Sequence, residues 1–201
     1  MKLGILGTGK VAQILAGAWQ KAGHEITLGS RDPDSKKLAF EVRSLADCVT
    51  GADVVVNAIL GSVALGTISA MDPALFAGKT VIDVSNATTP QFDLVYSDSS
   101  LAARLQEALP SANVVKSMNT AAMTVVTRAT TVAPSSLFLS GNSLEAKREA
   151  AGLVKDMGWS DDELVDLGGI ETARGVEHYV VMFATLAGAL KSEAFNVRLV
   201  R

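Results

Sequence analysis

The sequence contains little of what marks disulfide-linked, metal-binding or nucleic-acid-binding proteins. Its 201 residues include one cysteine, Cys48, so no internal disulfide can form, and a single thiol is consistent with a reducing compartment. The two histidines, the cysteine and the acidic residues nowhere show the spacing of a metal site. The formal net charge of −3 argues against nucleic acid as a partner, because binding phosphates requires a basic patch.

Long hydrophobic runs and a secretory signal are also missing. The longest apolar stretch, residues 179–190, is twelve residues long, whereas a membrane-spanning helix needs about 20. The apolar run at the N-terminus is interrupted by Gly4 and Gly7 and lacks the features of a signal peptide. We therefore expect a cytoplasmic protein with no membrane partner.

The composition instead favours an aliphatic core. Hydrophobic residues make up 48% of the chain and aromatic residues only 5%, so valine, leucine, isoleucine and alanine must fill the interior. A chain of this length suits one compact domain, or one domain with a small appendage.

Strand-like and helix-like segments alternate along the chain. Apolar runs predict strands at residues 3–6, 26–28, 54–59, 80–84, 114–116, 137–139 and 164–167, the last of them in the core, and a short strand within 40–44. Periodicity and composition predict helices within residues 11–22, 32–37, 44–52, 101–109, 144–157 and 176–190. Such alternation indicates βαβ units, and hence an α/β fold with a mostly parallel, doubly wound sheet.

A glycine-rich turn, GTGKVA at residues 7–12, follows the first predicted strand directly. The first glycine of this G-x-G-x-x-A pattern permits a tight turn, and the second lets the backbone approach a pyrophosphate. The pyrophosphate would lie at the helix N-terminus, where free N–H groups and the helix dipole favour an anion. Such turns also serve as structure alone, but a position between a strand and an amphipathic helix favours nucleotide binding.

The end of the second strand indicates which nucleotide is bound. An NAD site usually carries Asp or Glu about 20 residues after the turn, for the ribose 2′-hydroxyl. Here the corresponding residues are Gly29, Ser30 and Arg31. Arg31 can hold a phosphate through a forked pair of hydrogen bonds, with hydroxyls from Ser30 and Thr8. We therefore predict NADP, the alternative being that Arg31 is a solvated loop residue. Lys36 or Lys37 could add charge.

Few side chains could act as acids or bases. We expect His24 in a loop, His178 at the surface or packed within the last helix, and Asp83 in a structural role. This shortage favours hydride transfer between two cofactors, which needs alignment more than proton shuttling. The sequence identifies no catalytic residue and no metal ligand.

Two polar pairs follow predicted strands, at Ser85-Asn86 and Asn119-Thr120. In an open α/β sheet, ligands bind beyond the carboxyl ends of the strands. These side chains could therefore face a ligand, or they could cap their own loops.

Nearly end to end, the chain resembles the NADPH-dependent reductases of the deazaflavin coenzyme F-420. The segments that carry this resemblance are GTGKVA, GHEITLGSR, VVKSMNT, SGNSLEAKREAAGLVKDMGW and LVDLGGIETARGVEH. The least generic of them is ETAR, followed by a glutamate and an apolar helix. Residues 60–62 depart from the resemblance, because members of the family often have a Pro-Trp-type loop there, near the second substrate.

The resemblance implies a Rossmann domain with a small C-terminal helical part, about residues 141–201, within a single NADP-binding domain. It also implies a homodimer and direct hydride exchange between NADPH and the deazaflavin. A surplus of apolar residues in the segment 170–190 independently favours a dimer contact. The alternatives are reduction of another small acceptor, or a non-catalytic NADP sensor.

The resemblance further implies a set of cofactor contacts. The first group lies in the glycine turn and at the end of strand two and comprises Gly7, Thr8, Gly9, Lys10, Val11, Ser30 and Arg31. The second group lies near the nicotinamide and comprises Ile59, Asn119, Ala121 and Met123.

Overall fold

The computed structural model describes residues 1–200, and eight strands within them form one sheet in the order β3-β2-β1-β4-β5-β6-β7-β8. The strands are β1 (Lys2–Leu6), β2 (Glu25–Ser30), β3 (Glu41–Ser44), β4 (Val54–Asn57), β5 (Thr80–Asp83), β6 (Asn113–Ser117), β7 (Leu137–Gly141) and β8 (Leu164–Asp166). Every pairing is parallel except that of β6 with β7. The predicted mostly parallel Rossmann-type fold is confirmed.

The described chain contains seven α-helices, of which the first six lie between strands and the seventh follows β8. They are α1 (Lys10–Lys21), α2 (Leu45–Thr50), α3 (Gly61–Ser69), α4 (Leu101–Ala108), α5 (Met123–Val126), α6 (Leu144–Lys155) and α7 (Ala173–Leu190). Short 3-10 helices lie at Pro73–Phe76, Ala129–Thr131, Asp161–Glu163 and Ile170–Thr172.

Alternate residues of the central strands pack into two separate cores, one on each face of the sheet. Ile5 and Val56 belong to the core that contains α1 and α6. Leu6 and Val55 belong to the core that contains α3 and α4. The strand order reverses between β1 and β4, and in such sheets the crevice at this reversal is where ligands bind.

Helix α1 illustrates how the apolar spacing builds this fold. Its residues Ala12, Leu15, Ala16 and Trp19 are fully buried. The indole Nε1 of Trp19 donates a 2.8 Å hydrogen bond to the Leu153 carbonyl oxygen on α6, so the polar atom of this large side chain is satisfied. The apolar face therefore orients α1 so that its N-terminus starts at the end of β1.

The segment 32–37 is not helical, and its sequence prediction is wrong. It contains a turn, closed by a 3.0 Å hydrogen bond from the Lys36 N–H to the Pro33 carbonyl oxygen. The Ser35 hydroxyl also donates to the Asp32 carbonyl oxygen, at 3.1 Å. Such local side-chain hydrogen bonds offer the backbone an alternative to a helix.

Three further elements differ from the sequence prediction. Strand β8 is an edge strand rather than a core strand, with Leu164 and Val165 half-buried and Asp166 exposed. Helices α3 and α5 were not predicted: α3 begins at Gly61 and contains Gly66, both poor helix formers, and α5 has four residues. Across residues 1–200 no helix combines the length and hydropathy that a membrane span requires.

Candidate active site

Gly7 begins the turn and joins the ends of three strands. Its φ of +120° lies in the region that favours glycine. A Cβ there would stand 2.7 Å from the carbonyl oxygen of Ala58, just beyond β4. Its N–H donates a 2.9 Å hydrogen bond to the Gly29 carbonyl oxygen in β2. No other residue could make the turn without displacing the backbone at 58.

Unlike Gly7, Gly9 has no atom near the position that its Cβ would occupy, so the space there is open. Gly9 precedes the first turn of α1, and no side chain caps this N-terminus. The first N–H groups of a helix have no partner within the helix, and together with the dipole they attract anions. The fully buried Ala12 allows α1 to pack closely on the sheet. These features fit a pyrophosphate at Gly9.

A cavity of about 520 Å³ lies beside the turn, and we call it the Arg31 cavity. The predicted residues that line it are Gly7, Thr8, Gly9, Ser30, Arg31 and Ile59. Lys36 also lines it, so two cations face this space, together with Asp32. Its lining also includes the apolar Leu60 and Val63, which are 71% and 46% exposed. Cations and apolar side chains in one cavity suit a phosphorylated nucleoside with a flat base.

A second cavity, of about 360 Å³, lies beyond the ends of β4, β5 and β6, and we call it the Asn119 cavity. The predicted residues that line it are Lys10, Val11, Ile59, Asn119, Ala121 and Met123. The two cavities share Ala58, Ile59 and Leu60. All eleven residues predicted from the sequence therefore line one or the other of these two adjoining cavities, which together we call the groove. Their contact with a nucleotide remains a prediction.

The amide side chains beyond β5 and β6 lock two loops together. Asn86 Nδ2 donates to the Asn119 carbonyl oxygen, and Asn119 Nδ2 donates to Asn86 Oδ1, both at 2.9 Å. Asn119 Nδ2 also lies 2.9 Å from the Val176 carbonyl oxygen in α7. Met118 adopts a φ of +60°, a conformation that bulky residues rarely adopt. Both asparagines line the Asn119 cavity, and their side-chain amides hold the loops after β5 and β6 together.

Three charged side chains are buried directly beneath these loops. Lys116 and Asp83 are fully buried and Glu177 is 4% exposed. Lys116 Nζ lies 2.8 Å from Asp83 Oδ2 and 3.1 Å from Glu177 Oε1. The structural role expected for Asp83 agrees with this arrangement. Lys116 and Glu177 were not among the residues predicted from the sequence, although a lysine within a strand buried on both faces is a signal of a buried partner.

Burial and mutual attraction set the pKa values of this cluster. Burial raises the pKa of the Asp83 carboxyl, against the opposing charge of Lys116. Burial alone would lower the pKa of Lys116, but the charges of Asp83 and Glu177 outweigh it and hold the pKa above its ordinary value. Asp83 Oδ1 accepts from Asn57 Nδ2 at 2.8 Å and from the Ser85 N–H at 3.2 Å, so every partner of the carboxylate is a donor.

Residues from the C-terminal part also reach the Asn119 cavity. Phe183 and Glu193 line it, and the Phe183 ring stacks on Phe195 with a centroid separation of 5.0 Å. Neither lining residue was predicted from the sequence, because the approach of Phe183 depends on how α7 packs and that of Glu193 on the chain turning back after α7. Glu193 is the one acidic side chain among the cavity's lining residues.

The histidines lie where the sequence placed them. His24 Nε2 is 3.0 Å from Asp156 Oδ2, in a loop, and His178 Nε2 is 3.2 Å from the Tyr96 carbonyl oxygen. Neither lines the two cavities. Among residues 1–200 no three His, Cys, Asp or Glu side chains cluster in a way that could hold a metal ion.

Comparisons with known proteins agree with this architecture. The profile of the family described as NADP oxidoreductase, coenzyme F-420-dependent, matches residues 2–87. A solved structure from Arthrobacter sp. FB24, provisionally described as an F-420-dependent NADP reductase, is 34% identical, with a TM-score of 0.93 and coverage of 100% of both chains.

Two further relatives are more distant. The metalloreductase STEAP3 of Rattus norvegicus is 29% identical over 182 residues, and this chain spans 36% of the relative's length. The structure of an imine reductase from Pseudomonas sp. is 18% identical, with a TM-score of 0.69. The match covers 94% of this chain and 62% of the imine reductase chain. The likeness to the imine reductase shows the fold alone. From the full-length match to the Arthrobacter structure and the family profile over the glycine turn, the chain is an NADP-dependent oxidoreductase that belongs to the coenzyme F-420-dependent NADP oxidoreductase family.

Proposed function

We propose that NADPH binds across the Arg31 cavity and the Asn119 cavity, and that the protein transfers a hydride between it and a flat acceptor, with coenzyme F-420 as the first candidate. The observation that carries this proposal is the groove itself. Its two cavities join at Ala58, Ile59 and Leu60, with an anion-binding turn and two cations at one end. Two adjoining cavities, with an anion-binding turn beside the first, suit the two halves of a dinucleotide.

At the charged end, the pyrophosphate would face Gly7, Thr8 and Gly9 and the first turn of α1, which includes Lys10 and Val11. Open space at Gly9 supports this assignment. The 2′-phosphate would face Ser30 and Arg31, where an NAD enzyme would carry an acid. Arg31 is exposed and lines the cavity beside Lys36, so both cations are free to approach the phosphate.

In the Asn119 cavity, we assign Ile59, Asn119, Ala121 and Met123 to the nicotinamide. When NADPH is bound, its nicotinamide supplies the hydride, which carries both electrons to the acceptor. The chain's residues hold the geometry: Asn119 braces its loop against α7, and Ala121 and Met123 limit the access of water. Alignment of two bound rings contributes more to such a reaction than proton transfer does.

The segment 60–62 determines what can lie against the ring. A Cβ at Gly61 would stand 2.1 Å from the Asn86 carbonyl oxygen, so a glycine is required for the start of α3 to pack on the next loop. Leu60, 71% exposed, lines both cavities. This segment therefore lies where an acceptor would approach the nicotinamide.

Stopped-flow loss of NADPH absorbance tests the acceptor. Coenzyme F-420, FMN, a cyclic imine and a ferric chelate are mixed separately with the protein and NADPH. This panel includes the reductions named for the Arthrobacter, Pseudomonas and Rattus relatives. Rapid reduction of the deazaflavin alone supports the proposal. Reaction with only another acceptor assigns a different substrate to the same NADP site, and NADPH binding without any reaction favours the sensor.

We also propose that the protein is a cytoplasmic homodimer formed through α7, and that its chain is a single domain with residues from about 141 onward as its C-terminal part. Three apolar side chains of α7 support the dimer, because Val181, Met182 and Leu190 are between 44% and 58% exposed. Exposed apolar side chains that share one helix are typical of a contact between chains. The single thiol supports the location.

A further inference from the structure

A single buried lysine connects the floor of the Asn119 cavity to the C-terminal helix. Lys116 Nζ contacts the Asp83 and Glu177 carboxylates and also donates to the Ser85 carbonyl oxygen. Glu177 belongs to α7, and its carboxylate accepts hydrogen bonds from the Leu101 and Ala102 N–H groups, at 2.8 and 3.0 Å. The cluster therefore joins β5, β6, the start of α4 and α7.

Stability alone does not account for such a cluster. Removing charges from water has a high cost, and well-packed apolar residues of similar volume are often at least as stable. The hydrogen bonds of the cluster are instead directed at particular backbone groups. Asp83 holds the Ser85 N–H and Lys116 holds the Ser85 carbonyl oxygen, so both sides of one residue are fixed by buried charges.

The hydrogen-bond network of the cluster also extends to the end of β4, the strand next to β5. Asn57, held by Asp83 through its Nδ2, accepts a 3.2 Å hydrogen bond at Oδ1 from the Ile59 N–H. Ser85 Oγ donates to the Ile59 carbonyl oxygen at 2.7 Å. Ile59 and Ser85 both line the Asn119 cavity. The lysine is therefore connected, through named hydrogen bonds, to the two backbone segments that form the floor of this cavity.

We propose that Lys116 is a positioning residue that fixes Ser85 and Ile59 beneath the nicotinamide and ties them, through Glu177, to α7. This inference rests on the proposed NADP site and deepens it. None of the three charged residues lines either cavity, but Ser85, which the cluster holds at both its N–H and its carbonyl oxygen, lines the Asn119 cavity and not the Arg31 cavity. Ile59 lies where the two cavities meet. The cluster should therefore act chiefly on binding of the nicotinamide half of the ligand and have little effect on the adenosine half.

Two ligands distinguish binding in the nicotinamide half of the site from binding in the adenosine half. NADPH fills both cavities, whereas adenosine 2′,5′-bisphosphate can fill only the Arg31 cavity. For Lys116→Met, we expect the NADPH affinity to fall at least tenfold in calorimetric titration, while the bisphosphate affinity stays within twofold. The control is Lys147→Met, since Lys147 pairs with Asp166 at 2.7 Å on the edge strand β8 and lines neither cavity. It should change neither affinity.

Other results would overturn the inference. If Lys116→Met weakens both ligands alike, or neither, the lysine has only a structural role. Should that variant not fold, Glu177→Gln keeps the side-chain size and should weaken NADPH by three- to tenfold, again without effect on the bisphosphate. Loss of folding in both variants would make the cluster a folding element and refute the positioning role. Failure of the unmodified protein to bind NADPH would instead refute the proposed function.

Discussion

Asn86 and Asn119, which are 33 residues apart in the chain, hydrogen-bond to each other reciprocally, with both bonds 2.9 Å long. The pair joins the loop after β5 to the loop after β6, at the crevice where the nicotinamide is proposed to lie. Because the Asn86 side chain accepts from the Asn119 side chain and donates to the Asn119 backbone, neither loop can move without leaving a polar group unpaired, which costs about 1–3 kcal/mol when it is buried.

Alanine at either position should therefore destabilise the protein by about 1–3 kcal/mol. The double variant should lose less than the sum of the two, because the pair acts as a unit. Urea unfolding of Asn86→Ala, Asn119→Ala and the double variant measures this coupling. Strictly additive losses would mean that the two asparagines stabilise the loops independently.

Replacing Arg31 should change the preference between cofactors. We expect Arg31→Ala to weaken NADPH by about 1.5–3 kcal/mol, as for a charged hydrogen bond, and to affect NADH little. Titration of both cofactors checks this, with Lys37→Ala as the control, since Lys37 does not line the Arg31 cavity. An equal loss for both cofactors would show that Arg31 acts on the structure rather than on the 2′-phosphate.

Valine at Gly9 should abolish nucleotide binding while the fold survives. The backbone at Gly9, with φ −76° and ψ −177°, accepts a side chain, and the new atoms would occupy the open space proposed for the pyrophosphate. Gly152→Val is the matched control, because its Cβ also meets open space, on α6. Normal NADPH binding by Gly9→Val, in a protein with unchanged circular dichroism, would refute the pyrophosphate assignment.

Local signals explain why the glycine turn and its neighbours could be predicted from the sequence. Gly7, Gly9 and Ala12 form a pattern within six residues, and Arg31 follows at a distance typical of the fold. Asn119 follows from the carboxyl-edge rule, because it lies just beyond β6. Ile59, Ala121 and Met123 were assigned only through the family resemblance, and no spacing rule identifies them.

The residues missed by the sequence analysis depend on distant partners. Lys116 meets Glu177, 61 positions away, and nothing local identifies that pairing. Glu193 approaches the cavity only because the chain reverses after α7. The helix predicted at 32–37 failed for the opposite reason, since side chains of its own sequence compete for the backbone.

The only thiol provides an independent test of the fold. Burial raises the pKa of Cys48 to about 12, so almost no thiolate, the reactive form, exists near neutral pH. We expect iodoacetamide at pH 8 to leave the native protein unmodified and to alkylate it fully after denaturation, as read by mass spectrometry. Rapid labelling of the native protein would place Cys48 outside the core.

The exposed apolar side chains of α7 give a prediction for the oligomer. Sedimentation at micromolar concentration should show twice the chain mass of 20.9 kDa. A charge at an exposed position, as in Met182→Glu, should shift the protein toward the monomer, because burying an unpaired charge in an interface is costly. A clean monomer of the unmodified protein would contradict the proposed dimer.

The most direct test of NADP-dependent hydride transfer follows the transferred atom itself. The protein is mixed in a single turnover with coenzyme F-420 and NADPH that carries deuterium at the transferable position of C4. The product is then analysed by mass spectrometry. The account predicts that the deuterium appears in the reduced deazaflavin and that the NADPH absorbance falls more slowly than with unlabelled NADPH. Deuterium that stays on the nucleotide while it remains bound and unoxidised would contradict it.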